Sequence, residues 1–429
     1  ATLTLPWPIA DLLLRRPPRL EGGVPLPEVR AGDFVAAITE VASLLDGSTL
    51  AVQGPPGTCK TFVAARVIKN LVEHHGWSVG VVSQSHAVVD NLLDEVVKAG
   101  LPVDRIGKRL RPDGSHWVAL RDKDYAPFLD AHADGSVIGG TAWDFTNDKR
   151  VQAGQLDLLV IDEAGQYSLA NTIAVSIAAK RLLLLGDPQQ LPQVSQGQHP
   201  EPVDGSALGW LSDGMTLSPE FGYFLDKTWR MHPALTEPVS RLAYEGRLTS
   251  KEPETIERDM RNAVGDEVTP GLRIVPVHHT GNDVSSIEES RAVVEAVTEA
   301  LTWTWQESAA LSPRPMQPED VLVVAPYNAQ VQQIRHDLKT ARLDGVRVGT
   351  VDKFQGQEAA VVLVSMTASS RDDVPRGMEF LLSPNRLNVA ISRGQWLATI
   401  VYSPTLTDYL PARPEGLADL GRFLQVVET

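Results

Sequence analysis

Residues 48–61, STLAVQGPPGTCKT, pass from an apolar stretch of strand type into a Gly/Pro loop ending in Lys-Thr, and Thr61–Glu73 then follow a helical pattern. Strand, loop and helix in that order constrain the fold more than any other feature, because together they build a phosphate-binding loop at a helix N-terminus. Gly54, Pro55, Pro56, Gly57, Thr58 and Cys59 would wrap a β-phosphate with backbone, Lys60 would reach the β/γ oxygens, and the Thr61 hydroxyl would hold Mg²⁺. One position departs from the pattern. Glycine normally stands before the lysine, and here it is Cys59. If the loop needs a left-handed backbone there, a residue with a Cβ pays roughly 1–2 kcal/mol.

Nine further apolar segments recur along the chain. SVGVVSQS (78–85), GSVIGGT (135–141), LDLLVIDE (156–163) and RLLLLGD (181–187) form one set; GLRIVPV (271–277), DVLVVAPY (320–327), VRVGTV (346–351), AAVVLVSM (359–366) and WLATIVYS (396–403) form another. Apolar runs without polar alternation read as strands buried on both faces of a parallel sheet. Helical patterns such as EESRAVVEAVTEAL and NAQVQQIRHDL lie between them. The expected organisation is α/β: a Pro-rich connector over 1–30, a first domain over 31–222 with a small insertion at about 95–134, and a second domain over 223–429. The stretches 197–220, 250–270 and 371–379 read as loops.

A chain of 429 residues, 43% hydrophobic, supplies the cores that two such domains need. Its formal charge of −15 excludes coating nucleic acid by bulk charge, so any such binding is confined to a groove. No apolar run approaches the ~18 residues of a membrane span. A single cysteine forms no internal disulfide, which suits a reducing, cytoplasmic setting. The Pro-rich start (Pro6, Pro8, Pro17, Pro18, Pro25, Pro27) reads as a connector within a longer protein.

In LLVIDEAGQ, Asp162 and Glu163 end a buried strand, where carboxylates face a phosphate site. Asp162 would hold Mg²⁺ and Glu163 would polarise the attacking water. The next strand ends in GDPQQLPQ, whose Gln190 could sense a γ-phosphate.

GPPGTCKT, SQSHAVVD, IDEAGQ, GDPQQLP, TWRMHP, VAPYNAQV, VDKFQGQE and NRLNVAISR stand in the order and spacing of superfamily 1 helicase motifs. The chain most resembles the 5′→3′ branch (1B) that holds the up-frameshift helicase and the replication nuclease-helicases. It looks closest to the helicase half of bacterial proteins with an N-terminal RecB-like nuclease. The resemblance implies two tandem RecA-like P-loop domains that close on ATP and Mg²⁺ and step along single-stranded nucleic acid, DNA by preference, by alternating grip. It places Trp229 on the adenine, Arg230 and Arg393 on the γ-phosphate, and Glu358 near the ribose. Ser85, His86 and Thr141 match strand-phosphate contacts of the first domain, and Tyr327 and Thr350 those of the second. The opposite-polarity branch carries large inserted domains that the ~90 residues between Arg230 and Asp320 cannot hold.

The family's adenine-reading glutamine is missing from AGDFVAAI (31–38). Cys59 opens a rival reading, a nucleotide-gated single-strand clamp with blunted hydrolysis. Within the insertion, Lys98, Arg105, Lys108, Arg109, Arg111, Arg121 and Lys123 outnumber Glu95, Asp104, Asp113 and Asp122, with Trp117 among them. Two readings remain open for this cluster, a strand-gripping patch and a solvated face. His278–His279 and His74–His75 lack metal-ligand spacing and take no role.

Overall fold

Thr49–Gln53 forms β1, buried at every position, and it takes parallel neighbours on both sides, as an apolar run without alternation requires. In the computed structural model, which describes residues 8–109, 116–193, 197, 199–212 and 214–428, β1 lies within an eight-stranded sheet. Its partners are β2 (Ser78–Val82), β3 (Ile106–Lys108), β4 (Val118–Ala119), β5 (Ser136–Gly140), β6 (Leu158–Ile161), β7 (Leu182–Gly186) and β8 (Gly222–Phe224). The order is β4-β3-β5-β2-β6-β7-β1-β8, and every pairing is parallel.

Side chains alternate between the two faces of a strand, so one run feeds two cores. Leu50 and Val52 join α2 (Phe34–Leu44), α3 (Lys60–His75) and α4 (His86–Lys98) through Val41, Ile68 and Leu92. Ala51 faces the other way. It joins Leu159, Ile161 and Leu184 under α1 (Ile9–Leu13), α5 (Tyr125–Ala131), α6 (Ala142–Phe145), α7 (Leu169–Ser176) and α8 (Ala207–Ser212).

The chain divides into two compact units. The first runs through Leu225, except for Pro56–Thr58 and Gln189–Leu191, which group with Asp226–Thr429 in the second. The second unit is built on a five-stranded sheet of β12 (Gly271–Pro276), β15 (Val321–Val324), β16 (Arg347–Gly349), β17 (Ala359–Ser365) and β18 (Gly394–Tyr402). Its order is β12-β18-β17-β15-β16, again all parallel. Helices α9 (Pro233–Ala243), α10 (Ile287–Ala300), α11 (Asn328–Thr340), α12 (Met378–Leu381), α13 (Pro384–Ile391) and α14 (Pro414–Val427) complete it with two small sheets. These are β9 (Lys227–Thr228) with β10 (Thr249–Ser250), and β11 (Asp259–Arg261) with β13 (Thr304–Gln306) and β14 (Arg314–Pro315). No helix among the described residues is long and apolar enough to cross a membrane.

Three expectations change. The described part of the 1–30 segment is not a free connector, because Ile9 and Leu12 of α1 are buried in the first unit's core. Asp11, buried beside them, accepts hydrogen bonds from Ser48 Oγ and Arg19 Nε, both 2.8 Å. The insertion is part of the sheet, since β3 pairs with β5 and β4 with β3. Loops 197–220 and 250–270 hold α8 and β11.

Of the insertion's basic residues Lys108 is spent inside the fold, and four others form ion pairs nearer the surface. Lys108 is 1% exposed and pairs with Asp90 at 2.6 Å; a buried ammonium requires such a partner. Trp117 is core. Arg105 pairs with Asp134, Arg109 with Asp122, Arg121 with Asp124 and Lys98 with Glu95. These pairings favour the solvated face over a strand-gripping patch; Arg111 and Asp113 lie outside the described residues. If α1 is integral, Leu12→Ala lowers stability by about 2–4 kcal/mol in urea unfolding. A change below about 0.5 kcal/mol returns the segment to a connector.

Candidate nucleotide and nucleic-acid sites

A wholly parallel sheet gathers all its C-terminal strand ends on one edge, where loops meet helix N-termini. In the first unit's sheet that edge carries the expected residues. The phosphate loop follows β1, Asp162 and Glu163 follow β6, and Gln190 follows β7; Ser85 and His86 follow β2, and Thr141 follows β5. Along the sheet the expected nucleotide residues therefore occupy β6-β7-β1 and the expected strand contacts β5-β2.

Cys59 is the N-cap of α3 at φ 59° and ψ 38°, the left-handed backbone that a glycine adopts without cost. The residue is exposed and outside any disulfide. Lys60 Nζ donates to the Gly54 carbonyl at 2.7 Å, so the ammonium is folded over the loop. Thr61 follows it in the first turn of α3, which directs orphan N–H groups towards the same edge.

Asp162 is buried, and burial together with the neighbouring Glu163 charge pushes its carboxyl up to about 7, against the opposing pull of Lys60 and of the Glu163 N–H. That N–H donates to Asp162 Oδ1 at 2.9 Å, while Glu163 itself sits at φ 57°. The turn is tight because Gly165 lies on the next strand's exit: a Cβ there would stand 2.3 Å from the Asp187 carbonyl oxygen. Beside them Gln53 Nε2 donates to Asp187 Oδ1 at 3.2 Å, and Gln53 Oε1 accepts from Leu217 N at 2.6 Å. Gln53 thus buttresses the strand ends.

The donors fit Mg²⁺. A hydroxyl and a carboxylate are hard oxygen ligands, and the buried Asp162 carboxyl beside the Glu163 charge favours a cation. Among the described residues no cluster of three His, Cys, Asp or Glu side chains could cage a metal alone.

Two links join the halves of the edge. The Asp162 N–H donates to the Val82 carbonyl at 2.9 Å, closing the ladder between β6 and β2. Gln84 Nε2 donates to the Gln166 carbonyl, tying SQSHAVVD to IDEAGQ. Ser85 caps α4, its Oγ accepting from Val88 N at 3.3 Å. His86 Nδ1 is buried without a hydrogen-bond partner. Thr141 caps α6, and both its N–H and its hydroxyl donate to Asp144, which Arg150 holds at 2.6 Å. Trp143, two residues on, is 82% exposed. Nothing in AWDF distinguishes it from the buried Phe145.

The second unit separates its expected residues more widely. Arg230 donates through Nε to Glu358 Oε2 at 2.6 Å and through Nη1 to the Ser392 carbonyl at 2.9 Å. Burial alone would raise the Glu358 carboxyl, but Arg230, a hydrogen bond from Gln395 and the Arg258 charge hold it below the usual carboxylate range. Arg393 is 2% exposed and its guanidinium donates to the Val389 and Gln357 carbonyls. Glu358 precedes β17 and Arg393 precedes β18, so both stand at the N-terminal edge. Trp229 is 44% exposed with the Lys251 ammonium 5.4 Å from its ring, an open aromatic and not core. Tyr327 and Thr350 follow β15 and β16 at the opposite edge.

Two family models, each described as AAA domain, match residues 35–205 and 211–404. The chain is 25% identical over 377 residues to the DNA replication ATP-dependent helicase/nuclease DNA2 of Gallus gallus, covering 86% of this chain and 36% of that protein. It is 25% identical over 431 residues to the ATP-dependent helicase upf1 of Schizosaccharomyces pombe, covering 88% and 45%. It is 24% identical to the DNA polymerase alpha-associated DNA helicase A of the same yeast, covering 80% and 59%.

The chain belongs to the up-frameshift-like superfamily 1 helicases. It spans between 36% and 59% of the length of these helicases. The arterivirus nonstructural protein 10 helicase is similar at 16% identity and TM-score 0.45, over 84% of this chain and 60% of that one.

Within this helicase framework Cys59 is the local departure. Its left-handed backbone costs roughly 1–2 kcal/mol, which glycine would recover less its own entropy of 0.5–1 kcal/mol. Cys59→Gly is expected to stabilise the protein by up to about 1 kcal/mol in thermal unfolding. A gain in stability with unchanged ATP affinity assigns the strain to the fold; a several-fold gain in affinity assigns it to the nucleotide-bound loop.

Proposed function

We propose that this chain is an ATP-driven motor on single-stranded nucleic acid. The observation that carries the reading is the continuity of one sheet edge: β6, which ends in Asp162 and Glu163, is hydrogen-bonded to β2, which leads into Ser85 and His86. A shift at either set of loops is felt by the other through the ladder and through Gln84 and Gln166.

In this reading the phosphate loop and Lys60 hold the triphosphate, and Thr61 with Asp162 bind Mg²⁺, which neutralises phosphate charge when present. Glu163 orients the attacking water and accepts its proton. Gln190, Arg230 and Arg393 are assigned to the γ-phosphate, Trp229 to the base and Glu358 to the ribose side. The carbonyl-bound guanidinium of Arg393 must exchange those partners to act. Ser85, His86 and Thr141, with Tyr327 and Thr350 in the second unit, contact the strand through its phosphates with little regard to base.

The finer reading is translocation 5′→3′ on DNA, as the motor of a protein that also carries an N-terminal RecB-like nuclease domain. Motif order and the relatives named helicase/nuclease support it. The clamp alternative rests on Cys59 alone.

Single-strand-stimulated ATP hydrolysis is the deciding measurement. Lys60→Ala should abolish ATP binding, whereas Glu163→Gln should keep ATP and lose at least about 10²-fold in turnover. Parental turnover in Glu163→Gln removes it as the base, and parental ATP binding without turnover favours the clamp. Strand displacement should require a 5′ overhang; activity only from 3′ overhangs reverses the polarity.

A further inference from the structure

Tyr327 and Thr350 mark the C-terminal edge of the second unit's sheet, and the connection from β17 into α13 carries two arginines, of which only Arg386 belongs to a motif named above. Arg376 Cζ lies 3.9 Å from the centroid of the Phe380 ring and Arg386 Cζ lies 4.3 Å from the same centroid. The two cations thus stand within about 8 Å of each other, a separation at which physiological salt only partly screens their repulsion. Arg386 has a carboxylate nearby, Asp352 at 3.4 Å, itself half exposed. Among the described residues no carboxylate pairs with Arg376.

Phe380 also packs on Tyr327, ring centroids 5.7 Å apart. Tyr327 is 7% exposed and its hydroxyl has no hydrogen-bond partner. Burial raises that phenol, as does the Asp283 charge, and Arg376 opposes it, so hydroxyl and guanidinium are electrostatic neighbours. Of the two acids three residues from Arg376, Asp373 accepts from Ser370 Oγ at 2.7 Å and Glu379 acts on Tyr409 and Asp419.

We infer that Arg376, Arg386 and the Tyr327 hydroxyl form a phosphate-binding site for single-stranded nucleic acid, with Phe380 as the platform that positions the two guanidiniums. This deepens the motor reading above and rests on it. A phosphodiester relieves the repulsion between the arginines and gives the buried hydroxyl an acceptor. Because Phe380 already carries both guanidiniums, it is a positioning residue, and any base stacks on a guanidinium plane. In a chain of net charge −15 such a local cationic pair is what an anionic strand needs.

The test is binding of fluorescein-labelled (dT)20 by anisotropy across a salt series, with thermal melts of each variant. Arg376→Gln should weaken binding about 5- to 10-fold and lower the slope of log K against log salt by about 0.7, the share of one single-strand phosphate. Arg376→Lys should restore the slope. Tyr327→Phe, which keeps the ring, should weaken binding several-fold with an unchanged melt. If the parent binds (dT)20 and Arg376→Gln matches it in affinity and slope, the site is overturned while the motor reading stands. If the parent binds no single strand, DNA or RNA, the motor reading fails and takes this site with it.

Discussion

The backbone hydrogen bond from Asp162 N–H to the Val82 carbonyl closes the last rung between β6 and β2, and the placement of the first unit's candidate residues depends on that pairing. Parallel strands put every C-terminal end on one edge, so the loops after β1, β6 and β7 must neighbour those after β2 and β5. The glycines of DEAG and LLLLG let the loops after β6 and β7 touch; a Cβ on Gly186 would stand 2.5 Å from Gly165 N. Charge is thereby concentrated. Burial and the neighbouring Glu163 charge push the carboxyl of Asp162 up, against the pull of Lys60.

The second unit uses the same parallel arrangement with a different division. Glu358 and Arg393 sit where β17 and β18 begin, whereas Tyr327 and Thr350 follow the ends of β15 and β16. A seven-residue strand such as β17 spans roughly 20 Å. One sheet therefore separates the two sets of expected residues. A buried polar network stiffens it: His279 bridges Ser369 Oγ and Glu289 Oε1, while Glu289 Oε2 accepts from Ser365 Oγ and from Thr367 N. Thr367 is held at φ 74°, a conformation that a β-branched residue keeps only when its surroundings over-determine it. His279, without a role in the sequence reading, is a structural centre.

Charge shows where reading along the chain loses resolution. Seven basic residues between 98 and 123 outnumber their acidic neighbours, yet Lys108 and Arg105 find Asp90 and Asp134 across the fold. Those partners lie 18 and 29 positions away, beyond any helical or strand period. Arg376 and Arg386 stand ten residues apart in a stretch that begins as a loop. Only the Phe380 ring brings them together.

By itself the amino-acid sequence determined the α/β class, the buried parallel strands and the ordered motifs, because hydrophobic period and loop chemistry are local properties. It also marked Cys59 as the departure from a glycine, and its backbone is left-handed. Tertiary structure decided what depends on distant partners. Ile9 and Leu12 became core because a sheet face lay open to them, and Trp117 was buried while Trp143 was not. Gln84 gained its link to Gln166, and Arg230 its carboxylate, from residues 82 and 128 positions away. Burial and pairing are properties of the packed chain, and no local pattern of residue types carries them.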